Sequence, residues 1–121
     1  MDKLLSGRRV LVVEDEMLVL MMIEGILDSL GCKSVATAAT VDQAVTLIEG
    51  QPFDVAMLDV NINGTKSYPV ADALTARGVP FFFSTGNTGP MADGYADRAV
   101  LRKPFMSADV ATMLTELLPA N

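Results

Sequence analysis

Residues 10–31 read VLVVEDEMLVLMMIEGILDSLG, a short apolar run followed directly by a helical pattern. Residues 10–13 are apolar and rich in valine, as expected for a central strand that is covered on both faces. From residue 16 to residue 30, apolar side chains recur at helical spacing, and Gly31 is typical of a helix end. A strand that leads into a helix is the repeating unit of an α/β fold.

The same alternation continues along the rest of the chain. Further strands are predicted at 33–38, 53–58, 79–84 and 99–102, and further helices at 40–49, 69–77 and 107–118. Thr40 is expected to cap one of these helices, and Ser107 or Asp109 another. Residues 61–67, NINGTKS, have the composition of a turn. Residues 86–93 are rich in Gly, Asn and Pro, so the fourth helix, which would have to form before Arg98, is expected to be short or irregular.

Five strands separated by helices predict a parallel sheet, because parallel strands need crossover connections. The simplest architecture is a doubly wound, flavodoxin-like (βα)5 fold with strand order 2-1-3-4-5. With 121 residues, half of them hydrophobic, we expect a single domain over residues 1–121 and no output domain.

Composition excludes several classes of site. The chain has no histidine and one cysteine, Cys32, which excludes Ser-His-Asp triads, histidine metal sites and intrachain disulfides. A net charge of −6 argues against nucleic-acid binding. The longest apolar run, residues 17–23, is far shorter than the roughly 20 residues that span a bilayer. We therefore expect a cytoplasmic protein without membrane insertion.

Polar residues follow the predicted strands where each strand ends. Glu14 and Asp15 follow the first strand and Asp59 the third. Thr85 follows the fourth strand and Lys103 the fifth. Because ligands of such sheets bind outside the carboxyl ends of the strands, we expect these side chains to converge on one site.

The chemistry of this set points to a divalent cation and a phosphoryl group. Three carboxylates packed together repel one another unless a cation lies among them. Oxygen ligands without histidine or cysteine select a hard cation, and Mg²⁺ fits best. Lys103 adds a second positive charge, so the site is suited to neutralising a phosphoryl group while a carboxylate attacks it.

Each of these residues also has an ordinary structural interpretation. Glu14 and Asp15 could cap the following helix, and Asp59 could begin the turn that follows it. Thr85 could be a strand-end hydroxyl, and Lys103 a solvated surface lysine. Their joint occurrence at successive strand ends favours the functional interpretation over four independent coincidences.

The ordered set closely resembles response-regulator receiver domains over nearly the whole chain. The matching segments are Val12-Val13-Glu14-Asp15-Glu16, Leu58-Asp59, Thr85 and Lys103-Pro104-Phe105. The resemblance implies that Asp59 accepts a phosphoryl group from a histidine kinase or a histidine phosphotransfer protein. It also implies a Mg²⁺ site formed by Glu14, Asp15, Asp59 and the backbone carbonyl of Asn61.

The resemblance assigns further roles near the fifth strand. Thr85 and Lys103 would bind the phosphoryl group, and the bond from Lys103 to Pro104 would be cis. Such a protein signals in two-component systems and is not an enzyme, apart from its own phosphotransfer and autodephosphorylation. Its output would be contact with a downstream protein, as a stand-alone regulator, a relay intermediate or a phosphate sink.

The chain departs from the family pattern at several positions. Glu14 stands where many members carry aspartate, and the usual Met-Pro pair is missing, since Asp59 leads into the residues 60–64, VNING. Val100 occupies the position of the aromatic switch residue, so the usual relay from threonine to an aromatic ring is lost. The segment 83–86, FSTG, is similar to the Phe-Ala-Thr-Gly motif of a subgroup of single-domain receivers, in which we expect switching by ordering of residues 86–95.

The first helix carries more apolar residues than one buried face needs: Met17, Leu18, Met21 and Met22. They could be buried between neighbouring elements, since methionine fills irregular gaps. They could instead form a docking surface for a kinase helix bundle or for a dimer partner. Receivers that this chain resembles commonly dock phosphodonors with the first helix, so we favour docking and expect a monomer or weak dimer.

Three other functions are compatible with the fold class. A flavodoxin would carry its phosphate loop after the first strand, whereas the similar residues 83–88, FSTGNT, follow the fourth. A haloacid-dehalogenase-type phosphatase would carry an acid/base aspartate at position 61, where Asn61 cannot transfer a proton. A pseudo-receiver that only binds partners would have no need of the intact set of Asp15, Asp59, Thr85 and Lys103.

Overall fold

Strands and helices alternate along the chain in the computed structural model, which describes residues 3–86, 94–95 and 98–118. None of the helices in these ranges has the length and apolar character needed to cross a membrane. The strands are β1 Arg9–Val13, β2 Ser34–Ala38, β3 Val55–Asp59, β4 Asn61–Ile62, β5 Thr65–Lys66, β6 Phe81–Thr85 and β7 Val100–Arg102. The helices are α1 Met17–Ser29, α2 Val41–Gly50, α3 Tyr68–Ala76 and α4 Ser107–Leu117.

The central sheet has five parallel strands in the order β2-β1-β3-β6-β7. When the small β4–β5 pair is set aside, this is the predicted order 2-1-3-4-5, so the predicted fold class is confirmed. Every residue of β3 and of β6 is buried, as expected for strands covered on both faces. The short or irregular fourth helix expected between residues 86 and 98 falls largely on positions outside the described residues.

Two hydrophobic layers cover the sheet, one on each face. Alternate strand residues point to opposite faces, so Val10 and Val12 of β1 enter one layer while Leu11 and Val13 enter the other. The first layer packs against α1 and α4 through Ile23, Leu27, Val110 and Leu114. The second packs against α2 and α3 through Ala44, Ile48, Val70 and Leu74.

Aromatic rings continue the second layer beyond α3. The rings of Tyr68 and Tyr95 stack with centroids 4.3 Å apart, and Phe83 meets Tyr68 edge-on at 6.0 Å. The Tyr95 hydroxyl donates to Asp72 Oδ1 at 2.6 Å. Tyr95 is thereby tied to α3 through its ring and its hydroxyl together.

The helix starts agree in part with the sequence prediction. Thr40 precedes α2, and its Oγ1 accepts a hydrogen bond from the Gln43 N–H at 3.1 Å, which confirms it as the cap. Helix α4 has Met106 at the capping position, so the prediction of Ser107 as cap is wrong. Asp109 acts from inside the first turn, where Oδ2 accepts the Met106 N–H at 2.8 Å.

Residues 61–66 form a hairpin in place of the simple turn that was expected. Asn61 pairs with Lys66 and Ile62 with Thr65, in antiparallel register. Asn63 and Gly64 make the turn with φ angles of 52° and 79°. Asn-Gly favours such a turn because both central residues need positive φ. Two paired residues on each side are too few to leave an alternating pattern in the sequence.

Candidate functional site

The residues predicted to form a site lie at one edge of the central sheet. Glu14 and Asp15 follow β1, Asp59 ends β3, Thr85 ends β6, and Lys103 follows β7. Because all five strands of this sheet run parallel, their carboxyl ends meet at that edge. A cleft of about 390 Å³ opens there, and its lining includes Asp15, Asp59, Thr85 and Lys103.

The three carboxylates form a compact cluster. Glu14, Asp15 and Asp59 each offer an oxygen, and these oxygens all lie within 4.8 Å of one another. Glu14 is only 1% exposed and Asp59 7%, while Asp15 is half-buried at the mouth of the cleft. Burial weakens solvation and strengthens mutual repulsion, so such a cluster favours a bound cation.

Lys103 neutralises part of this charge. Its Nζ lies 2.9 Å from Asp59 Oδ2 and 3.2 Å from Glu14 Oε1. Its backbone N–H donates to the Thr85 carbonyl at 2.9 Å, which joins the end of β7 to the end of β6. The peptide bond from Lys103 to Pro104 is cis.

The pKa values of Glu14 and Lys103 are both raised, but for different reasons. Burial and the charge of Asp59 raise the pKa of Glu14 to about 7, although the Glu16 N–H and Lys103 oppose this shift. Burial lowers the pKa of Lys103, but its hydrogen bond to Asp59 and the charges of both acids outweigh burial and raise it overall. Lys103 therefore stays charged, while Glu14 is only partly ionised near neutral pH in the absence of a cation.

Backbone N–H groups orient the acids. Glu14 Oε2 accepts from the N–H groups of Asp15 and Glu16 at 3.1 and 3.2 Å. Asp59 Oδ1 accepts from the Asn61 N–H at 3.2 Å, and Asn61 itself lines the cleft. The carboxylates are held in place by the turns that follow their own strands.

Val100, which was expected to stand in place of an aromatic switch residue, is half-buried in β7. Val100 pairs with Phe83, two residues before Thr85 on the same strand face. It packs against the layer that contains Phe83 and Tyr95. The neighbouring rings are thus supplied by other elements, while position 100 itself offers only a small aliphatic side chain.

The apolar residues at the start of α1 are open to solvent. Met17, Leu18, Met21 and Met22 are 67, 81, 59 and 45% exposed. The alternative that neighbouring elements bury them is therefore wrong. Met106, which the sequence did not single out, is 74% exposed and follows the loop that carries Lys103.

Sequence reasoning missed one residue that contacts the acidic cluster. The Asn63 N–H donates to Asp15 Oδ2 at 2.8 Å, across 48 positions of the chain. The Asn63-Gly64 pair was the only available signal, and it indicates a turn without indicating what the turn contacts.

Residues 10–115 match the sequence model of the response regulator receiver domain. The chain belongs to this receiver domain family. The resemblance drawn from the ordered motifs is thereby confirmed, and residues 10–115 form a receiver domain of the kind found in two-component response regulators. Such domains are signalling modules, and the flavodoxin and phosphatase alternatives fall away.

Relatives of this receiver domain include proteins of several bacteria. The transcriptional regulatory protein YvrH of Bacillus subtilis (strain 168) is 25% identical over 116 residues, which are 91% of this chain and 48% of YvrH. The receiver domain thus spans about half the length of that curated relative.

Solved structures of receiver proteins are more similar. SdrG from Sphingomonas melonis Fr1 is 43% identical, with a TM-score of 0.80 over 93% of this chain and 95% of SdrG. The receiver domain of the sensor histidine kinase PA1611 from Pseudomonas aeruginosa PAO1 is 28% identical, with a TM-score of 0.78 over 93% of this chain and 98% of that domain. The PA1611 structure contains a magnesium ion coordinated in the active site cleft.

Proposed function

We propose that Asp59 accepts a phosphoryl group from a histidine kinase or a histidine phosphotransfer protein in a Mg²⁺-dependent reaction. One observation carries the proposal: the oxygens of Glu14, Asp15 and Asp59 lie within 4.8 Å of one another, with Lys103 Nζ 2.9 Å from Asp59. Membership of the receiver family supports the same chemistry. The charges are arranged to stabilise an incoming phosphoryl group beside a carboxylate nucleophile.

The donor set fits magnesium. Carboxylates of Glu14, Asp15 and Asp59, with the backbone carbonyl of Asn61, would hold the ion through oxygen atoms, as Mg²⁺ prefers. The pKa of Glu14 is raised to about 7, so its ionised form is disfavoured. A divalent cation beside the carboxylate would stabilise that ionised form. When bound, the ion would supply positive charge to the phosphoryl oxygens. The magnesium ion in the PA1611 receiver domain supports this assignment.

The chain's own residues would act in three ways. An Asp59 oxygen attacks phosphorus, and the bond from phosphorus to the donor nitrogen or oxygen breaks with its electron pair leaving on the donor. Lys103, released in part from Asp59 as that carboxylate becomes an acyl phosphate, pairs with the phosphoryl oxygens. The hydroxyl of Thr85, a cleft-lining residue, donates to the same group. Hydrolysis of the acyl phosphate returns the domain to its starting state.

The exposed face of α1 is the surface through which partners would bind. Met17, Leu18, Met21 and Met22 begin two residues after Asp15, so a protein that covers them also reaches the cleft. We propose that this face receives the helices of the phosphodonor. Methionine-rich surfaces adapt to such partners because the side chain is flexible and polarisable. Output then takes the form of contact between the phosphorylated receiver and a downstream protein.

Phosphorylation is tested with a small-molecule donor. The protein is incubated with acetyl phosphate or phosphoramidate and Mg²⁺, and its intact mass is measured. We expect the addition of one phosphoryl group, and we expect none when Mg²⁺ is removed by a chelator.

Two variants localise the modification. Asp59→Asn should abolish it, because an amide cannot form the acyl phosphate. Asp42→Asn, a change at an exposed residue in the first turn of α2, should leave it intact and serves as the matched control. Undiminished phosphorylation of the Asp59→Asn variant would show that the assignment is wrong.

A further inference from the structure

The β4–β5 hairpin stands directly beside the acidic cluster. Its first strand begins two residues after Asp59, and Asn61 and Gly64 both line the cleft. Ile62 is 1% exposed and belongs to the layer beneath α2 and α3. The Ser67 N–H donates to the Val60 carbonyl at 2.9 Å and closes the base of the hairpin. The hairpin is therefore anchored at its base and through one buried side chain.

The tip of the hairpin makes two contacts that reach other elements. The Asn63 backbone N–H donates to Asp15 Oδ2 at 2.8 Å. The Asn63 side chain donates through Nδ2 to the Ala39 carbonyl, just beyond β2, at 3.2 Å. Asn63 thus joins Asp15, in the loop after β1, to Ala39, in the loop after β2.

The backbone conformation at the tip is what aims the donor. Asn63 has a φ of 52°, in the left-handed region that asparagine tolerates better than other non-glycine residues. A β-branched residue is strained there, and a proline cannot adopt positive φ and has no N–H to donate. Asparagine at position 63 thus combines a positive φ with the N–H that this hydrogen bond needs.

We propose that Asn63 is a positioning residue of the metal site, whose backbone N–H fixes the Asp15 carboxylate in the orientation that a divalent cation requires. The inference rests on the proposed function, since it concerns the same site. Asp15 is the least buried of the three acids, and it is therefore the one that packing constrains least. Hydrogen-bond partners that orient metal ligands change metal affinity by about 10- to 100-fold when they are removed.

The test compares three variants by their response to Mg²⁺. Asn63→Val strains the turn, whereas Asn63→Gly keeps the positive φ and removes only the side-chain bond to Ala39. Gly7→Val is the matched control, because Gly7 has a φ of 76° and open space around its Cβ position, and lies before β1 at the opposite edge of the sheet. It introduces similar strain without approaching the cluster.

Two readouts separate positioning from general destabilisation. The first is the Mg²⁺ concentration that gives half of the maximal rise in melting temperature. The second is the Mg²⁺ dependence of phosphorylation by acetyl phosphate, divided into a half-saturating concentration and a rate at saturation. For Asn63→Val we expect the half-saturating concentration to rise about tenfold in both, with a saturated rate close to that of the unchanged protein.

The other variants should not show this shift. Asn63→Gly should stay near the unchanged protein, and Gly7→Val should lower the melting temperature without moving the half-saturating concentration. An Asn63→Val protein with an unaltered Mg²⁺ response would overturn the inference. Where Asn63→Val does not fold, Asn63→Ala takes its place, with a smaller shift expected in the same direction.

The inference and the proposed function fail in different ways. Absence of phosphorylation together with a Mg²⁺ shift in Asn63→Val would remove the phosphoacceptor role and leave the positioning role standing. Normal phosphorylation together with an unshifted Asn63→Val would remove only the positioning role. No response of the unchanged protein to Mg²⁺ would overturn both.

Discussion

Glu14 is the most deeply buried ionisable group of the site, at 1% exposure. It stands where many receivers carry aspartate, and its longer side chain lets Oε1 approach Lys103 while Oε2 accepts two backbone N–H groups. Even so, burial and Asp59 raise its pKa to about 7. The folded protein therefore resists ionisation of this residue, whereas the unfolded chain ionises it near its ordinary pKa of 4.5.

This difference predicts a pH-dependent stability. Between pH 4.5 and about 7 the unfolded chain binds fewer protons at Glu14 than the folded protein does, so the free energy of unfolding falls as pH rises and levels off above that range. Glu14→Gln should lack this component. We therefore expect the melting temperature of the Glu14→Gln variant to rise relative to that of the unchanged protein as the pH is raised from 5 to 8.

Magnesium provides the control for the Glu14 prediction. A cation beside the carboxylate stabilises its ionised form, so saturating Mg²⁺ should flatten the pH dependence of the difference. A difference that grows in the opposite direction with pH would contradict the raised pKa.

Helix α1 divides sharply between its two faces. Ile23 and Leu27 are each 1% exposed and pack under the sheet, while Leu18 is 81% exposed. The helix thus has one face that holds the fold together and another that contributes little to the stability of the isolated domain. An exposed apolar face of this kind is typical of a surface that binds a partner protein.

The two faces of α1 should differ in their response to truncation. Leu27→Ala should lower the free energy of unfolding by about 2–5 kcal/mol, because it leaves a cavity in a packed layer. Leu18→Ala should change it by no more than about 0.5 kcal/mol. Urea unfolding of both variants measures the difference, and a large loss of stability in Leu18→Ala would mean that the exposed face is covered within the domain.

At the scale of the whole molecule, negative charge is in excess. The net charge is −6, and three of the acids are gathered at one edge of the sheet within 4.8 Å. General screening by salt relieves long-range repulsion, whereas a specific cation relieves the local cluster. The two effects are separable by experiment.

Magnesium should stabilise the domain more than sodium chloride of equal ionic strength. A ligand at tenfold excess over its dissociation constant adds about 1.4 kcal/mol to stability, which corresponds to a rise in melting temperature of about 4–8 °C for a domain of this size. Asp15→Asn should lose most of the rise that is specific to magnesium. Equal effects of the two salts on the unchanged protein would contradict a specific site.

The sheet and the location of the site could be predicted from the sequence for physical reasons. Buried parallel strands leave near-continuous apolar runs, and polar residues at their carboxyl ends must share one edge, which brought Glu14, Asp59 and Lys103 together. The β4–β5 hairpin could not be predicted, because its four paired residues carry no periodic pattern. The bond from Asn63 to Asp15 depends on how a loop returns across 48 positions, which local sequence does not encode.

The residue pattern alone left the α1 face open between burial and exposure, and only the family resemblance favoured exposure. Methionine suits both a packed layer and a surface, and helical spacing does not reveal whether a neighbouring element covers a given side. The exposure of Met106 was not predicted for a similar reason, since a single apolar residue in a loop carries no pattern.

The stacked tyrosines have an optical consequence. The chain has no tryptophan and two tyrosines, and these are Tyr68 and Tyr95, whose rings lie 4.3 Å apart. The tyrosine fluorescence of the whole protein therefore originates from one place, beside the strand that ends in Thr85. The Tyr95 hydroxyl bonded to Asp72 makes that emission sensitive to separation of the pair. The receiver thus carries a built-in, label-free spectroscopic reporter for any rearrangement next to its phosphorylation cleft.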